Sequence, residues 1–416
     1  MTTIPIVPDP GREGASAAGA ASVSVPLAGL SRRSTALAQL PPLSLYVHLP
    51  WCLRKCPYCD FNSHEADGEI PEGRYLDALR ADLESTLPSV WGRPIQTVFI
   101  GGGTPSLFSP ESIDRLLADV RMLHRLTPDA EVTLEANPGT FEAAKFRAFR
   151  DAGITRLSIG VQSFDDALLA RIGRVHDRAQ ALAAAGVAAE HYPTFNLDLM
   201  YALPGQDLAM LRGDLAQALA FAPPHLSCYH LTLEPNTLFA SRPPEGLPDD
   251  DLSADMQQAV DEATAAAGLA RYEVSAFARA GHRARHNLNY WTFGDYLGVG
   301  AGAHGKVSFP DRIERTARFR HPRRFMEGAL AGDAVESRRT LEADELAFEF
   351  MLNALRLVDG VPAGLFAERT GRPLAEVARP IAEAVRRGLL DPDPATIRPT
   401  PIGLRFLNDL QQLFLA

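Results

Sequence analysis

Three of the chain's four cysteines, Cys52, Cys56 and Cys59, fall within the stretch PWCLRKCPYCDF, residues 50–61. Four thiols in 416 residues give no disulfide framework, so clustering of this kind points to metal or redox chemistry. A structural zinc site wants four ligands, and His48 or His64 could complete one here. An iron–sulfur cluster is also held by thiolates, usually four. Three would leave one iron of a [4Fe-4S] cluster open to a non-protein ligand. The fourth cysteine, Cys228, sits mid-strand in HLSCYHL, where a free thiol is more often an inert buried side chain.

The remaining candidates gather at the ends of β-rich runs. These runs are 43–50, 96–103, 131–138, 156–162, 195–201 and 226–232. His48, the glycine turn that holds Gly102, Gly103 and Thr104, then Glu135, Gln162 and Asp198 lie at or near their C-terminal ends. Between the runs lie amphipathic helical patterns, such as 74–86 and 109–123, the second opening with Ser109 as N-cap and Pro110 at the first helical position. Strands alternating with helices make right-handed βαβ units around a parallel sheet. Polar residues on one rim favour a barrel, whose C-terminal face is where chemistry is built. Six strands predict a partial (β/α)6 barrel, open on one side. Taken singly, each candidate has a plainer reading. GGGTPS is a tight turn and no phosphate loop, Glu135 a surface carboxylate, Gln162 a strand-end cap. Their succession along one barrel rim is what sets them apart.

Composition bounds the rest. A formal charge of -10 argues against nucleic acid, which needs a strong positive field. No apolar run is long enough for a membrane span, and sparse clustered cysteines read as cytoplasmic. Residues 1–42, rich in Ala, Ser, Gly and Pro, read as a disordered tail, with Asp9, Arg12 and Glu13 arguing against a secretory signal. The barrel is assigned to 43–240. A looser extension covers 241–339, with a helix (252–268), a short strand (271–277) and a Gly-rich run (296–306). Residues 340–416 read as a C-terminal α-helical winged-helix-like domain. Its eleven acidic and eight basic residues make it a poor DNA reader, and packing or lid duty fits better.

C-x3-C-x2-C with an aromatic before the last cysteine, on the loop after the first strand of such a barrel, resembles the radical S-adenosylmethionine (SAM) superfamily. The resemblance implies a [4Fe-4S] cluster on Cys52, Cys56 and Cys59 whose open iron chelates SAM. Whether SAM is cleaved or only bound, and whether one molecule or two, stays open. Within the superfamily the chain is similar to the oxygen-independent coproporphyrinogen III oxidases and their relatives, the haem chaperones of the HemW type. Carried over by position, Tyr46 lies against SAM and Tyr58 on its adenine. Gly102, Gly103 and Thr104 meet its methionine moiety. Glu135, Gln162, Arg174 and Asp198 fill the remaining ligand positions.

Two features separate the relatives. The oxidases carry an extra cysteine two residues past the third; here Phe61 stands there, as in the chaperone-type members. HNLNYW, residues 286–291, matches the H-N-x-x-Y-W motif associated with haem binding, which makes His286, Asn287, Tyr290 and Trp291 candidate haem contacts. An imidazole can ligate haem iron and flat rings can face a porphyrin. A packed, hydrogen-bonded core histidine is the other reading of His286. Arginines cluster nearby at 312–324, a solvated face by default and a propionate-binding surface by hypothesis. The expectation is a haem chaperone that hands haem to apo-haem proteins, with respiratory enzymes at the membrane as candidate acceptors. Coproporphyrinogen oxidase activity is expected to be absent. The alternatives are that oxidase activity and a zinc-stabilised binding protein. A homodimer is compatible with the sequence, which fixes no oligomeric state.

Overall fold

The computed structural model describes residues 37–140 and 143–415. The expected tail thus lies, up to residue 36, outside the described residues. From Leu43 onward six parallel strands follow one another: β1 (Leu43–Leu49), β2 (Ile95–Gly102), β3 (Leu126–Ala136), β4 (Arg156–Gln162), β5 (Phe195–Tyr201) and β6 (His225–His230). Each pairs in parallel with the next. Their helices cover the outer face, which is why the outward residues of β1, Leu43, Leu45, Val47 and Leu49, are as buried as any core. Ser109 caps the helix Pro110–Leu123 by accepting from the Ser112 N–H, as the sequence pattern predicts. The fold is a partial (β/α)6 barrel followed by a winged-helix-like domain, and its polar residues alternate inward along the strands.

The extension departs from its expected looseness. The Gly-rich run folds into a strand, Asp295–Val299, that pairs in parallel with the free edge of β1. Strands His304–Ser308, Ile313–Arg318 and Val335–Thr340 continue from it in antiparallel order. Gly298 permits the turn-back, since a Cβ there would stand 1.9 Å from the His304 carbonyl oxygen. Beyond β6, the single strand expected at 271–277 is a hairpin of Ala270–Arg271 and Ala276–Ala278. Buried ion pairs tie the extension to the barrel. Arg93 lies 2.7 Å from Asp295 and Arg318 3.0 Å from Asp82, while within the extension Lys306 Nζ lies 3.0 Å from the same Asp295 carboxylate. Removing one partner of such a pair strands a buried charge, at a cost of about 3–5 kcal/mol.

In the C-terminal region, helices Ala343–Ala354, Gly364–Thr370 and Ala378–Arg386 enclose a second core around Phe350 and Phe366. A Leu390–Pro399 bridge and the Val361–Pro362 pairing with Thr396–Ile397 form the wing. Phe293 and Ile313 from the extension enter this core. Among the described residues no helix is long and apolar enough to cross a membrane.

Candidate cofactor site

The loop after β1 carries the cysteines to the C-terminal end of the barrel. It is pinned at several points. Trp51 and Cys52 pair with His64 and Glu65, Cys59 N–H donates to the Cys56 carbonyl at 3.1 Å, and Phe239 N–H donates to the Pro57 carbonyl at 3.0 Å. The three thiols are half-buried and all line one cavity of about 420 Å³. Burial pushes the thiols of Cys52 and Cys59 up, partly offset for Cys52 by Thr104 and for Cys59 by Phe61 and Ser63. A metal must therefore displace their protons to bind. Cys228 packs in the core of the barrel, so no fourth thiol reaches the cavity.

The glycine turn after β2 lies directly against this loop. Gly103 N–H donates to the Leu49 carbonyl at 2.8 Å and Thr104 N–H to the Trp51 carbonyl at 2.7 Å. A Cβ on Gly103 would stand 2.5 Å from the Trp51 oxygen. Gly102 (φ +122°) sits over the His48 ring, and its N–H donates to the Glu135 carboxyl at 3.2 Å. Burial, with nearby Asp198 adding to it, raises Glu135 to about 8. Asp198 is raised too, by burial, against hydrogen bonds from Asn196, Ser227 and Ser158.

Arg174 comes from the turn after the helix Asp166–Arg171. Its Nη1 stands 3.6 Å from Cys56 Sγ, and its Nη2 donates to Asn137 Oδ1 at 3.0 Å and to the Gly160 carbonyl at 2.8 Å. Its Nε is buried without a partner. Gln162 ends β4 in the left-handed region, φ +66°, a strained placement for a side chain other than glycine and one that recurs at ligand sites. Tyr58 packs beside Leu168, Ile172 and Met200 with its ring at the cavity wall.

Cys52, Cys56, Cys59, Tyr58, Gly102, Gly103, Thr104, Glu135, Gln162, Arg174 and Asp198 thus border one cavity. Tyr46 lies just outside it, stacked on Phe99 at 6.2 Å and hydrogen-bonded through its hydroxyl to His48 Nδ1 at 2.9 Å. The other ring nitrogen of His48 bonds the Asn62 carbonyl at 2.9 Å, so neither is free for a metal. Three thiols on one wall, with an arginine and a close-packed glycine turn beside them, suit a thiolate-held iron–sulfur cluster with room for a small polar ligand.

The HNLNYW motif divides. Its helix, Arg285–Trp291, closes the opposite end of the barrel. His286 is buried, its Nδ1 bonded to the Thr97 hydroxyl at 2.9 Å and its ring 5.1 Å from Phe99. Burial lowers it to about 3, which leaves it neutral at physiological pH. Only Asn287 of the motif borders the cavity. Tyr290 stands edge-on to Trp291 and tilted against Tyr296, and Arg356 from the C-terminal region covers the Trp291 ring at 4.4 Å. The arginines of 312–324 are largely engaged inside the chain: Arg312 with Asp311 and Glu314, Arg315 with Glu349, Arg318 with Asp82, Arg323 with Glu327. Sequence reasoning passed over Arg156, Ser158, Asn196, His225 and Ser227, which also border the cavity. Their signal was the period-2 alternation of polar residues within β4, β5 and β6.

The chain is similar to known proteins over most of its length. Residues 46–218 match the Radical SAM superfamily and residues 341–406 the HemN C-terminal domain. The chain is 50% identical over 383 residues to the heme chaperone HemW of Escherichia coli, covering 91% of this chain and all of that one. It is 45% identical to the heme chaperone HemW of Haemophilus influenzae, covering 91% of this chain and 100% of the relative. For the heme chaperone HemW of Mycobacterium tuberculosis the identity is 40%, over 85% and 90% of the two chains. Among solved structures, coproporphyrinogen III oxidase (HemN) from Escherichia coli superposes with a TM-score of 0.77 at 23% identity, covering 90% of each chain, and so shares the fold.

Proposed function

Because this chain belongs to the HemW-type group of the radical SAM superfamily, we propose that it is a haem chaperone that binds a [4Fe-4S] cluster, SAM and haem and delivers haem to apo-haem proteins. The observation that carries the reading is likeness along nearly the whole chain to proteins named as heme chaperones. Phe61, at the mouth of the cavity where the oxidases carry a further cysteine, supports it. Cys52, Cys56 and Cys59 would hold the cluster, which supplies an open iron for the amino-acid end of SAM and a reducing electron. The chain's own groups do the rest. Gly102, Gly103 and Thr104 bring backbone close to the ligand without a side chain in the way. Glu135 offers a carboxyl that ionises when a cation arrives, Asp198 adds a second carboxyl beside it, and Arg174 sets positive charge beside Cys56. Tyr58 and its apolar neighbours keep water from the cysteine wall.

The test is a haem titration of the anaerobically reconstituted protein, read by its Soret band, beside coproporphyrinogen III turnover with SAM and a reductant. Saturation at a fixed stoichiometry without turnover is expected. Turnover without saturable haem binding would make the chain an oxidase instead. The respiratory enzymes named as candidate acceptors, the cytoplasmic location and the homodimer belong to the same proposal.

A further inference from the structure

Three cationic side chains are deeply buried among the described residues: Lys306, Arg318 and Arg156. Lys306 has Asp295 and Arg318 has Asp82. Arg156, 3% exposed, has no ion pair and no hydrogen bond, and its Nε is buried without a partner. Its charge acts on the Glu135 and Asp198 carboxyls, but neither stands within ion-pair distance. A buried donor fork left without a hydrogen bond is costly, so it asks for an acceptor that the described residues do not supply. Its surroundings say where that partner sits. Arg156 opens β4 on the face that carries Ser158, Gly160 and Gln162, and it lines the same cavity. Six residues separate it from Gln162, about 20 Å along the strand, so it belongs to the floor of the barrel rather than to the cysteine rim. Beside it on β3, in register, Thr133 buries a hydroxyl that also has no partner. Asn287, brought in by the helix that closes this end, borders the same space.

We propose that Arg156 is the anchor of a second subsite at the barrel floor, which takes the carboxylate of a small-molecule ligand, with Asn287 beside it. A guanidinium fork pairs in two parallel hydrogen bonds with a carboxylate, and the dry floor strengthens them. The positions that the family resemblance gives to SAM do not include Arg156. The subsite deepens the haem-chaperone reading and rests on it for the two acids that could supply the group: a propionate of haem, or the amino-acid carboxylate of a SAM molecule lying deeper than the cluster.

Binding to the reconstituted full-length protein distinguishes them. Haem is compared with its dimethyl ester, and SAM with decarboxylated SAM, on the wild type, Arg156→Gln and Arg156→Lys. The expected result is that Arg156→Gln weakens one acid about ten- to a hundredfold and erases its advantage over the carboxylate-free counterpart. Arg156→Lys, keeping the charge without the fork, should recover part of it. Loss confined to haem assigns the propionate, and loss confined to SAM assigns the amino acid. If Arg156→Gln binds both acids as the wild type does, the arginine serves only as a counter-charge to Glu135 and Asp198, and the proposal falls alone. A wild type that holds each acid no more tightly than its counterpart overturns it without any variant. If the wild type binds none of the four, the subsite and the chaperone reading fall together.

Discussion

Arg174 Nη1 lies 3.6 Å from Cys56 Sγ although 118 residues separate them in sequence. The same guanidinium is held by the Gly160 carbonyl and Asn137 Oδ1, so its charge is fixed beside the cysteine wall rather than free to swing away. A fixed positive charge favours the thiolate and the reduced state of whatever the thiolate holds.

Arg174→Met should therefore lower the reduction potential of the reconstituted cluster. Loss of a unit charge this close to a thiolate ligand should move the potential by tens of millivolts, on the order of 1–4 kcal/mol of charge interaction at an intermediate dielectric. Arg174→Lys should recover part of the difference. Potentiometric titration followed by electron paramagnetic resonance reads it, and an unchanged potential in Arg174→Met would show that the arginine acts only through packing.

Glu135 is neutral at pH 7 in the unliganded protein, being raised by burial to about 8. A ligand with a cationic amino or sulfonium group should ionise it, so SAM binding at pH 7 should release close to one proton and tighten as pH rises towards 8. Calorimetry in two buffers of different ionisation enthalpy measures the release, and Glu135→Gln should abolish it. The sign for stability follows from the raised folded-state value. The neutral form favours folding, so the contribution is full at low pH and is lost as pH climbs to about 8. Glu135→Gln should raise the melting temperature at pH 9 and leave it unchanged near pH 4. The same proton release in the variant would locate the ionising group elsewhere.

Gly103 faces backbone, not a movable side chain. In Gly103→Ala the new methyl meets the Trp51 carbonyl oxygen at 2.5 Å, and the peptide leading to Cys52 must shift. SAM affinity should fall about ten- to a hundredfold, because small displacements at such a site cost that much. Gly73→Ala is the control: the new Cβ would have no neighbour within 4 Å, so neither SAM nor cluster should change. Equal SAM binding by the two variants would remove the glycine turn from the site.

Much of this arrangement was legible in the chain itself. The six parallel strands stood out because each is a short β-rich run between helical patterns, and the rim residues stood out because they end those runs. The strand Asp295–Val299 did not. Buried on both faces and followed by three glycines in six residues, it shows no alternation to read. The early start of β3 at Leu126 was hidden by Pro128, which ordinarily marks a strand edge or a turn. Arg156 was visible as one polar position in RLSIGVQ, but its burial and lack of a partner depend on helix Arg285–Trp291 closing the barrel floor, a contact 130 residues distant. His286 shows the reverse. Its motif stood out in the sequence, while its bond to Thr97 is a tertiary fact.

Iron and acid-labile sulfide analysis of the anaerobically reconstituted protein, with and without SAM and beside single alanine variants of Cys52, Cys56 and Cys59, tests the central claim most directly. A site of three thiolates and one open iron predicts about four irons and four sulfides per chain, a paramagnetic signal that shifts when SAM is added, and loss of both in each variant. A colourless protein with one tightly held zinc, indifferent to SAM, would contradict it.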